Sequence, residues 1–147
     1  SAMYYVWHGV KLGALSDGHM PGEPISANFS PSLLVTDVGP LSAISAMARP
    51  QLSRVINGGP LTLELHDTVF KNKEALTKVA MLVRSFILLG GHQLQLNAVS
   101  RETLLDAQVH PEAHRQLIVR VWGWSGHFIQ LDKSYQEQII QRTSYSI

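Results

Sequence analysis

The 147-residue chain contains no cysteine. Disulfides, thiolate metal sites and a cysteine nucleophile are therefore excluded within these residues. Charge is also sparse. Charged residues make up 16% and the formal net charge is +1, with Lys and Arg scattered along the chain. That distribution provides no electrostatic footprint for nucleic acid or an anionic membrane surface. No apolar run approaches the roughly 20 residues that span a bilayer. The chain does not open on a basic segment followed by an apolar stretch and a cleavage site, so no signal peptide is expected. Ser16-Asp17-Gly18-His19 has no nucleophile elbow around it, and no glycine-rich phosphate loop is present.

What is there fits a folded domain. Hydrophobic residues make up 45%, a globular rather than a disordered balance, and the length suits one domain. Ser1-Ala2-Met3 reads as a cloning remnant, which leaves residues 4–147 as a single domain.

The pattern along the chain predicts alternating strands and helices, hence an α/β fold with a mixed or partly parallel sheet. Tyr4 to His8 reads as a short aromatic and β-branched strand. Leu12 to Ser32, punctuated by Gly and Pro, reads as a long ordered loop. A helix follows, with Asp37 as a cap, Pro40 in its first turn and Leu41, Ile44, Ser45 and Ala48 on one face; Pro50 ends it. Asn57-Gly58-Gly59-Pro60 is a turn before an alternating, half-buried strand, Leu61 to Leu65. Asn72 to Leu89 is the clearest helix, with Leu76, Val79, Ala80, Val83, Phe86 and Ile87 at helical spacing and Gly90-Gly91 as its stop. Gln93 to Ala98 is a second alternating strand. Ser100 opens a short helix that His110-Pro111 breaks. Leu117 to Val121 is a strand, Trp122 to Gly126 a tight apex, and Phe128 to Leu131 leads away. Asp132 then caps a last helix reaching about Arg142.

The informative stretch is Ile118-Val119-Arg120-Val121-Trp122-Gly123-Trp124-Ser125-Gly126. It resembles the glycyl radical signature, whose core is Arg, an aliphatic residue, a small residue, Gly and an aromatic residue. Other blocks fit the same family in order: Gly13-Ala14-Leu15, Gly22-Glu23-Pro24-Ile25, Ser30-Pro31-Ser32, Gln95-Leu96-Asn97, Leu104-Leu105-Asp106-Ala107-Gln108, His110-Pro111-Glu112 and Ile139-Ile140-Gln141-Arg142-Thr143. The resemblance therefore covers nearly the whole chain. It implies the C-terminal radical domain of a glycyl radical enzyme of the pyruvate formate-lyase-like superfamily, part of a larger barrel, with a radical hairpin loop.

The chemistry explains the glycine. A Cα radical is stabilised between its amide nitrogen and carbonyl, which requires the Cα to flatten, and a side chain would crowd that geometry. On this reading Gly123 stores the radical. Arg120, Val121, Trp122, Trp124, Ser125 and Phe128 form its surroundings, and the aromatic and aliphatic members wrap a hairpin tip buried in an apolar pocket. Activation requires the same tip to become exposed, so a two-state loop is implied. Trp122 and Trp124 stand where a small residue and tyrosine are commoner. That form resembles the branch that adds hydrocarbons to fumarate, the alkyl- and arylalkylsuccinate synthases.

In the resembled family the glycyl radical takes hydrogen from a cysteine on another loop, and the thiyl attacks the substrate. Lacking cysteine, this chain is not catalytically complete alone. The implied partners are the remainder of the catalytic subunit with its cysteine loop, an activating enzyme using S-adenosylmethionine and an iron–sulfur cluster, and in some arrangements small accessory subunits. No cofactor and no metal are expected in this chain, and the implied setting is the cytoplasm of an anaerobe. Two rival readings are an autonomous replacement subunit for an oxygen-damaged enzyme and a non-radical α/β binding module in which Gly123 is only a turn.

Other residues carry weaker signals. His110 and His114 are four apart, but Pro111 and the lack of a third ligand argue against a metal site. Arg120 reads as a paired or solvent-facing arginine, or as a guanidinium that ties down the hairpin through carbonyl bonds. Gln95 and Asn97 either support the hairpin backbone or satisfy a buried polar layer. The resemblance implies that Trp7, His8 and the Gly13 to Ser32 loop approach a substrate cavity.

Overall fold

The computed structural model describes residues 4–33, 35, 39–56, 58–142 and 144–145. Its helices are α1 (Tyr5–Gly9), α2 (Pro40–Ala48), α3 (Lys73–Leu88), α4 (Arg101–Val109) and α5 (Lys133–Gln141). Its strands are β1 (Pro60–Leu65), β2 (Gln93–Asn97), β3 (Ile118–Arg120), β4 (Ser125–His127) and β5 (Ser144–Tyr145). β2, β1 and β5 form a parallel sheet in that order, and β3 and β4 form a separate antiparallel hairpin. The fold is thus mixed α/β, as the alternation predicts. Asp37, Asn57, Thr143 and Ser1-Ala2-Met3 lie outside the described residues.

The expected strand at Tyr4 to His8 is instead helix α1. Tyr5, Val6 and Gly9 are buried while Trp7 and His8 are exposed, the spacing of one helical face and not of a strand. Burial of Tyr5 overrides its β propensity.

The long loop is ordered by the sheet. Phe29 N–H donates to Pro60 C=O at 3.0 Å, and Thr62 N–H donates to Ser30 Oγ at 3.0 Å. The loop therefore occupies an edge of β1 as a surrogate strand, satisfying groups that would otherwise stay unpaired.

Helix α2 starts at Pro40, with Gly39 in the N-cap position. It buries Ala43, Ile44 and Met47 while Leu41 faces out, so the apolar face is rotated from the expected one. In α3, Asn72 accepts a bond from Ala75 N–H at 2.8 Å, satisfying an otherwise orphaned donor. The helix buries Ala75, Val79, Leu82 and Phe86 and leaves Leu76, Ala80 and Ile87 exposed. Ser100 caps α4 by accepting from Thr103 N–H. Asp132 stands at the start of α5 without a side-chain capping bond. Phe128 to Gln130, leading away from the hairpin, form a short 3-10 turn.

β1 and β2 are not half-exposed. Thr62 and Glu64 of β1 face Gln95 and Asn97 of β2 in register, and all four are buried. The opposite face carries Leu61, Leu63 and Leu65 with Leu94 and Leu96, packed against α2 and α3. Two large apolar cores result, beside a small cluster of Tyr5, Val6 and Ala27. One contains those leucines with Ile44, Met47, Val79, Leu82 and Phe86. The other contains Leu104, Ala107, Val119, Val121, Phe128, Ile139 and Ile140 from α4, the hairpin and α5. A buried polar layer separates them at the sheet.

Candidate functional site

The hairpin root is fixed by pairing and by side chains. Ile118, Val119 and Arg120 pair with His127, Gly126 and Ser125. Phe128 N–H extends the ladder to Leu117 C=O at 2.8 Å, and Val121 N–H donates to Trp124 C=O at 3.0 Å to close the turn. Trp122 and Gly123 are left as a two-residue tip. Gly123 has φ of +120°, in the region where an L side chain is strained. A Cβ there would meet no atom within 4 Å. Glycine is thus required by backbone conformation and not by crowding. At Gly126 the requirement is reversed, because a Cβ would overlap the Trp124 ring.

The tip is not enclosed by the described residues. Gly123 is exposed and Trp124 is 42% exposed, so the described residues do not themselves supply the expected apolar wrapping. Trp124 lies over Gly126 instead of wrapping Gly123. Trp122 is half-buried and touches both the hairpin core and the small cluster around Tyr5, Val6 and Ala27. Val121 and Phe128 are fully buried at the root.

On one side of the tip lies a cleft of about 710 Å³ whose lining includes Trp122, Gly123, Gln95, Asn28, Phe29 and Arg54. Two amide donors there, Gln95 Nε2 and Asn28 Nδ2, are buried without a partner. Burying a donor unpaired is costly, which favours an acceptor arriving from elsewhere. Ile25, Asn28 and Phe29 bring the long loop to this cleft; Trp7 and His8 do not line it.

Asn97 and Arg142 anchor the root. Asn97 Oδ1 accepts from Arg120 N–H at 2.7 Å, and its Nδ2 donates to Arg120 C=O at 2.8 Å. One amide thus replaces a neighbouring strand for that residue. Arg142 Nη1 donates to Arg120 C=O at 3.2 Å and Nη2 to Val121 C=O at 2.8 Å. The same guanidinium is held by Glu64 at 2.8 Å, by the Tyr5 hydroxyl at 3.1 Å and by Gln138 at 3.1 Å. Arg120 donates to Gln95 at 3.1 Å and to Ser125 at 3.4 Å. The guanidinium that bonds hairpin carbonyls therefore belongs to Arg142, while Arg120 pairs with side chains. Both sequence readings of Asn97 hold together, since it supports the hairpin from within the polar layer.

Glu64 and Tyr5 were not singled out by sequence, and Arg142 entered only within the C-terminal block Ile139 to Thr143, with no role given to it. The available cue was Glu64, an acid between leucines on a strand, which needs a buried cation when both faces are covered. Burial pushes the Tyr5 phenol above its ordinary value, against the opposing pull of Arg142.

The histidine pair has a structural partner. His110 Nδ1 and His114 Nε2 lie 2.8 and 2.6 Å from the two oxygens of Asp106. Bonds from His114 and then His110 lower the Asp106 pKa. Among the described residues no group of three His, Cys, Asp or Glu is placed to hold a metal, and no helix is long and apolar enough to cross a membrane.

The glycine radical family model matches residues 25–129, from the long loop through the hairpin. The chain belongs to the glycyl radical family. This glycyl radical domain is 33% identical over 140 residues to the probable dehydratase YbiW of Escherichia coli (strain K12), covering 95% of this chain and 17% of that protein. It is 34% identical over 137 residues to the 4-hydroxyphenylacetate decarboxylase glycyl radical subunit of Clostridioides difficile (strain CD196), covering 93% and 15%. In three dimensions it matches the glycerol-bound B12-independent glycerol dehydratase of Clostridium butyricum with a TM-score of 0.94 and 34% identity, covering 98% of this chain and 18% of that one. The domain therefore spans less than a fifth of the length of these relatives.

Proposed function

We propose that this chain is the radical-storing portion of a glycyl radical lyase that breaks a carbon–oxygen or carbon–carbon bond, with Gly123 as the storage residue. The observation that carries the reading is the two-residue tip: a glycine at φ +120°, free of contacts at its Cβ position, beside a cleft with unpaired donors. The tip fits a radical that is shared with a group outside this chain.

In the proposed cycle the Gly123 Cα radical takes a hydrogen atom from a cysteine thiol in the rest of the polypeptide. The Cα–H bond forms as the S–H bond breaks. The thiyl then takes hydrogen from the substrate, and the product radical recovers it from the thiol. One hydrogen atom circulates and no net oxidant is consumed. The radical would first be installed by a separate activating enzyme carrying the iron–sulfur cluster and S-adenosylmethionine, in the cytoplasm of an anaerobe.

The named relatives are dehydratases and decarboxylases, and they support bond cleavage over fumarate addition. The succinate synthase reading rests on Trp122 and Trp124 alone, whose indoles would suit an apolar substrate.

The test is anaerobic electron paramagnetic resonance of the full-length protein after activation. A Cα doublet that Gly123→Ala abolishes, with oxygen-dependent chain cleavage at Gly123, is the expected result. A doublet that survives in Gly123→Ala would move the radical elsewhere, and no doublet in either protein would leave Gly123 as a turn residue.

A further inference from the structure

The cleft beside Gly123 offers donors and no acid to meet them. Arg54, Gln95 and Asn28 line it, and no Asp or Glu among the described residues does. Arg54 makes no ion pair with a described residue. Arg120, which bonds Gln95, also has no acid; it donates only to Gln95 and Ser125. Glu64 is already matched by Arg142 at 2.8 Å. The cleft therefore carries positive charge that these residues do not balance.

Two of its donors are fixed in place. Gln95 is 5% exposed. Its Oε1 accepts from Arg120 Nε at 3.1 Å and from Thr62 Oγ1 at 3.4 Å. The amide cannot turn over without losing both bonds, so Nε2 stays a donor without a partner. Asn28 has φ of +57°, in the left-handed region. Its neighbours hold it there: Ser30 N–H donates to Ala27 C=O and Phe29 N–H to Pro60 C=O, each at 3.0 Å. Its Nδ2 is the second buried donor without a partner. A neutral carbonyl would satisfy the amides and leave Arg54 unmatched. A carboxylate answers all three, through charge-assisted bonds. The remaining wall includes Phe29, Val55 and Trp122, which suit a hydrocarbon body, and about 710 Å³ is more than a bare anion fills.

We propose that this cleft is a subsite for an apolar organic acid, whose carboxylate is held by Arg54, Gln95 Nε2 and Asn28 Nδ2 while its hydrocarbon part lies against Phe29, Val55 and Trp122. That this acid is the substrate rests on the radical reading of Gly123; the binding itself does not.

The test is isothermal titration calorimetry on the full-length protein before activation. The probes are phenylacetate and 3-methylbutanoate, each compared with its neutral amide. Each acid should bind at least about tenfold tighter than its amide. Arg54→Gln, which removes the charge, should bring that ratio close to one. Asn28→Gly removes a donor and keeps the backbone angle, and should weaken the acids about fivefold. Gln95→Glu keeps an acceptor for Arg120 and sets a negative charge against the ligand, so it should abolish binding of the acids; if it fails to fold in a thermal melt, the other two variants still decide. No heat from either acid, equal affinity for acid and amide, or a preference that survives both Arg54→Gln and Asn28→Gly would overturn the subsite. The titration is read without the radical. If activated wild type gives no doublet, the radical reading of Gly123 fails separately and the binding ratios still decide the subsite.

Discussion

At the scale of single residues, two positions are under opposite constraints. Gly123 is held by its φ in open space, so Gly123→Ala should cost about 1 kcal/mol through backbone strain without any clash. Asn97 is constrained by partners. Its replacement by Ala strands the N–H and C=O of Arg120 together with a lost contact to Glu64. We expect Asn97→Ala to lower unfolding free energy by about 2–3 kcal/mol in a denaturant titration. A loss below about 1 kcal/mol would mean that water takes over both bonds. Gly123→Ala and Asn97→Ala thus separate the tip from the root, since only the first should remove the radical signal while leaving Arg120 protected from exchange.

At the scale of elements, local signals were sufficient where the chain supplies its own partners. Asn72 and Gly90 bracket α3 in sequence, and the helix runs between them. Asn72→Ala should cost about 1 kcal/mol, checked by thermal melts, because the Ala75 N–H loses its acceptor. Asp132→Ala should cost less, since Asp132 makes no capping bond. Local signals failed where a neighbour decides. Thr62 and Glu64 read as the wet side of a half-buried strand, yet both are buried because Ser30 of the long loop and Arg142 at the end of α5 reach over them. Tyr4 to His8 reads as a strand by residue type but has no strand to pair with, and it coils to bury Tyr5 and Val6. The hairpin and its glycine were legible because the turn is local. The Arg142–Glu64 pair was not, because its members are 78 residues apart and only the fold brings them together.

At the scale of the whole molecule, stability combines apolar cores with a polar layer that holds one buried phenol, Tyr5. The Tyr5 phenol titrates above its ordinary value of 10.0, chiefly because it is buried, with Arg142 pulling the other way. A raised folded-state value means that the stability contribution is complete below the unfolded value and disappears as pH rises through the folded one. Melting temperatures should therefore fall above about pH 10, and more steeply in wild type than in Tyr5→Phe. Tyr135 is shifted in the same direction by burial, so the variant should flatten the decline without removing it. Equal slopes in the two proteins would exclude Tyr5 as the group that titrates.

The placement of Gly123 between β3 and β4 also determines the fate of a nicked molecule. Scission at the tip puts β3 and α4 on one fragment and β4 and α5 on the other. Both fragments contribute to one interior, with Leu104 and Val119 on the first and Phe128, Ile139 and Ile140 on the second, and Arg142 reaches across the break to the carbonyls of Arg120 and Val121. The pieces are interlocked by the fold that each completes. Damage at the tip would therefore leave a spent protein with its native size and shape, distinguishable from an intact one only after denaturation.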